Sequence, residues 1–297
     1  GRVNKNELIN PDFGYWQRGI GTTHAWGGTA NAYFADRWLR EVQSATGSKN
    51  PATTKSGGTK RSFDFKIARG KFDRKETAVP GHPNYFAIIR GGITYHGGTM
   101  SHEWYRVSQR IPDCTRFAGE VMTISFHAKA DNPGNYHATG DCHVSFLQNL
   151  NGLSGPVPGA TTSGSFADNS GAGVTAQVIE TPISDFALTK NWTPYNFSFF
   201  VPEISNAAGA SGANHGVSAG YTADHFSAIS FYTQHTDRGI TFDRDLHLSQ
   251  VKLERGNIPT PFNPIEPDQE LRKCQRYYQS SYVLGVPPGA DTLETQH

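Results

Sequence analysis

Cysteine is scarce: Cys114, Cys142 and Cys274 are the only three in 297 residues, widely separated and odd in number. That excludes a disulfide framework, and the lack of any CxxC spacing excludes a zinc ribbon or a thiol redox motif. Free, buried thiols in a chain folded in a reducing cytoplasm are expected. No apolar run approaches the roughly 18 residues of a membrane helix, so membrane insertion is not expected. The opening stretch GRVNKNELIN has no apolar core, and export by a general signal is not expected. An excess of one charge is also missing, with 27 Lys and Arg against 26 Asp and Glu. A bulk attraction to nucleic acid is therefore not indicated. There is no GxSxG elbow, no P-loop and no dinucleotide fingerprint. The 12 histidines include no HExxH, and no two lie two or four apart, so they read as polar surface rather than as a metal site.

Turn formers and aromatics are abundant instead, with 32 Gly, 17 Pro, 18 Phe and 12 Tyr. That mixture favours many short strands. Period-two alternation recurs along the chain. Met122, Ile124, Phe126 and Ala128 share one face of a segment whose other face is Thr123, Ser125, His127 and Lys129. Tyr195, Phe197, Phe199 and Val201 alternate in the same way, as do Tyr105, Val107 and Ile111. Segments 63–67, 85–90, 143–148 and 226–232 follow less cleanly. Each fits a strand with one face on a core and one toward water. In 246–253, Leu246 and Leu248 lie in one phase and Val251 and Leu253 in the other, so a bulge near Ser249–Gln250 would return all four to the core. These eight strands predict an all-β, double-sheet jelly-roll sandwich over residues 6–263.

Two long connections, 149–175 and 205–223, are rich in Gly, Ser and Ala and lack periodicity, as functional or disordered loops do. One helix is signalled over 266–279, within the segment 264–279. Pro267 suits its first turn, Glu266, Asp268 and Glu270 suit its N-terminal end, and Leu271, Cys274 and Tyr278 form an apolar stripe. Such a short helix must pack on something, either its own sandwich or a neighbouring copy in a trimer. Residues 280–297 are polar, contain Pro-Pro-Gly and read as the start of a further segment.

Several blocks carry a family resemblance. They are Asn10-Pro-Asp-Phe-Gly-Tyr-Trp-Gln-Arg-Gly19 and Ala35-Asp-Arg-Trp38 near the start, then Val107-Ser-Gln-Arg-Ile111 and Ile124-Ser-Phe-His-Ala-Lys-Ala130. Val251-Lys-Leu-Glu-Arg-Gly256, Thr260-Pro-Phe262, Glu270-Leu271 and Cys274-Gln-Arg-Tyr-Tyr278 complete the series. In this order the blocks resemble tailed-phage virion proteins of the tail-fibre or carbohydrate-binding type. The resemblance implies a non-enzymatic jelly-roll protein of the virion, made in the host cytoplasm. Its expected partners are other virion proteins, further copies of itself in a homotrimer, and a host surface glycan. Capsid decoration without a ligand is the first alternative, and a glycan depolymerase the second. The resemblance also implies one structural calcium near the first and last strands, for which Asn10, Asp12, Asp243 and Asp245 are the oxygen-bearing candidates.

The residues of the blocks read mainly as architecture. Trp16 and Trp38 suit a core edge, Asp36 and Arg37 suit a local charge-assisted pair, and Glu254 and Thr260-Pro-Phe262 suit a pinned chain exit. A glycan needs an aromatic platform rimmed by polar groups, carried on loops. Trp26, with His24 and Tyr33, offers that mixture in a glycine-rich stretch, and Trp104, with His102, offers it in a second; a loop anchor packed on the sandwich is the other reading of Trp26. For hydrolysis, Asp243 and Asp245 alternate along one strand, but nothing selects a catalytic pair.

Overall fold

A computed structural model describes residues 5–18, 21–24, 32–44, 62–94, 103–133, 142–149, 178–203, 225–235 and 242–279. Twelve strands occur among them: β1 (Gly21–His24), β2 (Ala32–Tyr33), β3 (Trp38–Ser44), β4 (Ser62–Lys71), β5 (Tyr85–Thr94), β6 (Glu103–Pro112), β7 (Val121–Lys129), β8 (Cys142–Asn149), β9 (Val178–Phe186), β10 (Thr193–Phe200), β11 (Phe226–His235) and β12 (Phe242–Arg255). They form two six-stranded antiparallel sheets, one ordered β1-β4-β5-β12-β7-β10 and the other β2-β3-β6-β11-β8-β9. The expected jelly-roll sandwich is the fold. All eight expected segments are strands, and β1, β2, β3 and β9 are additional. β9 carries Pro182 and a register shift against β8 between Val144 and Ser145, which suits its place at the edge of a sheet.

The alternating residues meet where alternation places them. Phe126 of β7 and Phe231 of β11 pack edge-on at 4.9 Å between the two sheets. Phe199 of β10 meets Phe146 of β8 at 5.5 Å. Trp38, Met122, Ile124, Phe126 and Phe199 are buried, while Phe197 is half-buried against the same core. Trp16 and Trp38 are fully buried, their indole N–H groups donating to Phe13 O (2.7 Å) and Asn10 O (2.9 Å).

β12 contains the expected bulge, as its register against β7 shifts between Ser249 and Lys252. Gln250 takes the left-handed conformation, φ +50. Leu246, Leu248, Val251 and Leu253 consequently all reach the core. β12 pairs with β5 only as far as Leu248. Beyond the bulge, the N-terminal segment takes that side: Val251 N–H donates to Pro11 O, and Glu7 N–H donates to Leu253 O, each at 2.9 Å.

On the outward face past the bulge, Lys252 and Glu254 form a fully buried ion pair at 3.0 Å. Lys252 also donates to Thr260 O and Pro261 O, and Glu254 accepts the Thr260 N–H at 2.8 Å and its hydroxyl at 2.5 Å. This clip is how Thr260-Pro-Phe262 is pinned; the Phe262 ring itself is half-buried.

The helix α1 (Pro267–Gln275) ends before the expected 279. It docks on the chain's own N-terminal segment. Buried Glu270 accepts the Asn10 N–H, Tyr15 hydroxyl donates to Pro267 O at 2.7 Å, and Gln17 donates to Tyr278 O at 3.0 Å. Arg37 lies over Tyr277, and Arg18 over Tyr278, each 3.5 Å from the ring centre. The buried helix residues are Glu270 and Cys274, with Leu271 only half-buried. The stripe therefore supplies no reason of its own for a trimer. Asp36 and Arg37 do not pair with each other: Asp36 accepts Gln17 Nε2 at 2.8 Å, while Arg37 turns to Arg110 O and Tyr277.

Truncation of Phe126 to Ala should cost about 3–5 kcal/mol in denaturant unfolding; a loss below about 1 kcal/mol would place that ring outside the core. Glu254→Ala should cost a similar ~3–5 kcal/mol, because the Lys252 ammonium would remain buried without its carboxylate. Thermal unfolding near the parent midpoint would refute that.

Candidate functional site

The departure of β12 from β5 leaves a fork at one end of the sandwich. The N-terminal segment forms one wall of the fork, and the adjoining ends of β4 and β5 form the other. Asn10 makes this wall possible by adopting the left-handed conformation, φ +54. Its side chain donates to Tyr15 O (2.8 Å) and Asp36 O (3.0 Å) and accepts the Tyr15 N–H (3.0 Å). Arg69 of β4 donates to Gly14 O at 3.0 Å and lies 4.2 Å over the Tyr85 ring. The segment after β12 and the start of α1 close the third side.

The result is a cleft of about 420 Å³, with Tyr15, Tyr85 and Phe262 as its aromatic walls and Asp12, Asn84, Arg69 and Glu270 among its polar ones. That volume lies in the range of small-ligand sites. Burial raises the Asp12 carboxyl above its ordinary value; the Gly14 N–H opposes this and the nearby Glu270 charge adds to it. Burial and then Asp12 raise the Tyr15 phenol, which is thus a neutral hydroxyl at physiological pH. Both Glu270 oxygens are engaged, one by the Asn10 N–H and the other by Lys273 at 3.1 Å. Among the described carboxylates of the cleft, Asp12 is the one available to a ligand's hydroxyl groups.

The residues expected from the sequence are described only in part. Trp26 and His102 lie outside the described residues, as do the side chains of His24, Trp104 and Asp243 and most of the two long connections. Tyr33 is half-buried, with Arg18 5.2 Å from its ring; it belongs to the packing around α1. Of the calcium candidates, the three whose side chains are described do not converge. Asn10 is buried and spends its amide on backbone groups, and Asp12 lines the cleft. Asp245 sits six residues before Val251 on β12, about 20 Å along the strand, and pairs with His247 at 2.9 Å. Among the described residues of those sets, Asp12 is the one that lines the cleft. Of the other cleft residues, Tyr85 opens the expected strand 85–90, while Asn84 and Arg69 fall just outside the expected strands, and nothing local in the sequence marks where β12 changes partner.

Among the described residues, two side-chain groups have metal-ligand spacing: Asp113/Cys114/His225 and Asp131/Asp245/His247. The first is poorly suited to a cation. Burial, then Asp113, pushes the Cys114 thiol up to about 11, and His225 Nδ1 already accepts the Cys114 N–H at 3.2 Å.

The Asp12→Asn variant keeps an acceptor for Gly14 while removing the charge. A raised folded-state value means that Asp12 favours folding most below about pH 3.9 and loses that benefit as pH rises through the raised value. The variant's melting temperature should accordingly gain on the parent as pH rises from 3 to 7; a difference independent of pH would contradict the burial of this carboxyl.

No protein-family model and no curated protein matches the sequence. Solved structures give distant likenesses. One is the enzymatically active domain of tailspike protein 4 of bacteriophage CBA120, with 11% identity, TM-score 0.35, and coverage of 84% of this chain but 21% of that one. Another is the family 11 carbohydrate-binding module of a cellulosomal cellulase of Clostridium thermocellum, with 12% identity, TM-score 0.28, and coverage of 77% and 97%. A third comes from the carbohydrate-binding modules of the β-sandwich superfamily, with 8% identity, TM-score 0.31, and coverage of 79% and 86%.

Proposed function

We propose that this chain is a glycan-binding surface or tail-appendage protein of a phage virion, and that the cleft between Tyr15, Tyr85 and Phe262 is where host glycan binds. The composition of that cleft carries the reading. Sugars present apolar C–H faces and many hydroxyls, and they suit aromatic rings set beside a carboxylate, an amide and a guanidinium. Here Asp12, Asn84 and Arg69 supply those polar groups. The series of blocks resembling virion proteins supports the setting. Binding is favoured over hydrolysis because Glu270, the second carboxylate of the cleft, is buried and committed to Asn10 and Lys273, whereas glycoside cleavage needs two carboxyl groups facing the bond.

A specific observation supports capsid decoration as the second reading. Val121 and Phe200 are register partners on β7 and β10, and both are exposed. The Val121 carbonyl accepts the Gly256 N–H at 2.8 Å, and Ile258 stands two residues further on, 71% exposed. An apolar surface of this kind suits contact with a neighbouring virion protein.

The test is binding of the full chain to a panel of purified host surface polysaccharides. Tyr85→Ala and Asn84→Ala should each weaken binding, the ring by about tenfold, while the melting temperature stays near that of the parent. Binding equal to the parent's in both variants would remove the cleft from this role. Loss of virion association in Phe200→Ser, with no glycan bound by the parent, would favour the decoration reading.

A further inference from the structure

The outward face of the β5–β12–β7 sheet holds a cluster that the cleft does not use. Asp245 and His247 project from β12, and Asp131 follows the end of β7. His247 Nε2 stands 2.9 Å from Asp245 Oδ2 and 3.6 Å from Asp131 Oδ2. All three ligand atoms lie within 4.8 Å of one another. Tetrahedral zinc with bonds of 2.0–2.2 Å separates its ligand atoms by about 3.4 Å, a spacing that the two nitrogen–oxygen distances bracket.

The imidazole gives an independent indication. His247 is more than nine-tenths buried; its Nε2 meets only the two carboxylates, and its Nδ1 has no hydrogen-bond partner. Buried imidazole nitrogens ordinarily find partners, and here Nε2 is aimed between two carboxylates. The ring plane is held from behind by Phe86, stacked at 5.3 Å and 25°. Phe86 in turn lies on Gly70, where an added Cβ would come 2.3 Å from the ring. Asp245 is held in place by the Asp131 N–H, which lies 3.2 Å from its Oδ1 and 3.1 Å from its Oδ2. Asp131 is half-exposed and gives a path of entry. Lys129, 3.2 Å from Asp131 Oδ1 and 22% exposed, is the cation a metal would displace.

We propose that Asp131, Asp245 and His247 form a three-ligand site for a divalent transition metal, zinc foremost, with a fourth position open toward Asp131. The donor set selects among cations: calcium and magnesium favour all-oxygen shells of six or more ligands, whereas an imidazole with two carboxylates suits zinc, cobalt or manganese. Such an ion would tie the end of β7 to the middle of β12. The site is separate from the glycan reading, so either can fail alone.

The full chain is titrated with zinc chloride by calorimetry, with calcium chloride in parallel, and cobalt(II) is followed by its visible absorption. One-to-one zinc binding, a tetrahedral cobalt spectrum and no calcium uptake are expected. Asp131→Asn should weaken zinc binding by more than about tenfold with unchanged circular dichroism, and His247→Gln should abolish the cobalt spectrum. Should His247→Gln fail to fold, Asp131→Asn decides, since its side chain is half-exposed. No saturable zinc binding, uptake of calcium in preference to zinc, or parental zinc affinity in Asp131→Asn would each overturn the proposal.

Discussion

The bulge in β12 is the constraint on which the rest of the architecture depends. A strand alternates its side chains strictly, so one extra residue changes which of them face inward. Without the shift between Ser249 and Lys252, either Leu246 and Leu248 or Val251 and Leu253 would point away from the core. The shift also ends pairing with β5 and admits the N-terminal segment beside Val251 and Leu253. One backbone irregularity thus completes the core and opens the fork where the cleft lies.

What enters the fork is largely polar, and nearly every polar group is used. Asn10 serves three backbone groups, Glu270 caps its N–H, and Trp38 binds its carbonyl. Buried polar groups are costly unless satisfied, and this set joins the N-terminal segment, β3 and α1 into one unit. Lys252 and Glu254 perform a similar task for the chain exit on the opposite face of β12. Rigid surroundings of this kind let a binding cleft keep its shape without a ligand.

The sandwich was legible in the sequence because burial on one face writes a period of two into the residues. The mixed phase of Leu246, Leu248, Val251 and Leu253 made even the bulge legible. β9 was hidden by Pro182, which reads as a strand breaker but is tolerated at a sheet edge. The site was largely illegible for a different reason. Tyr85 and Arg69 look like ordinary strand residues, and Glu270 looks like a favourable acidic residue at a helix start; their convergence with Asp12 depends on long-range pairing. Asp131, Asp245 and His247 come together across two strands, and no spacing along the chain announces them.

The edge strands have a consequence for self-association. β9 and β10 flank the same side of the sandwich, one in each sheet, and they carry Pro182 and Pro194. A proline offers no N–H to an incoming strand and obstructs continuous ladder growth. Neither strand can template a neighbour along its whole length, so copies crowded at high local density are protected along these edges from fusing into a continuous sheet. Regular assembly on this side is thereby steered toward side-chain surfaces, where the symmetry and strength of contact are set residue by residue rather than by an uninterrupted backbone ladder.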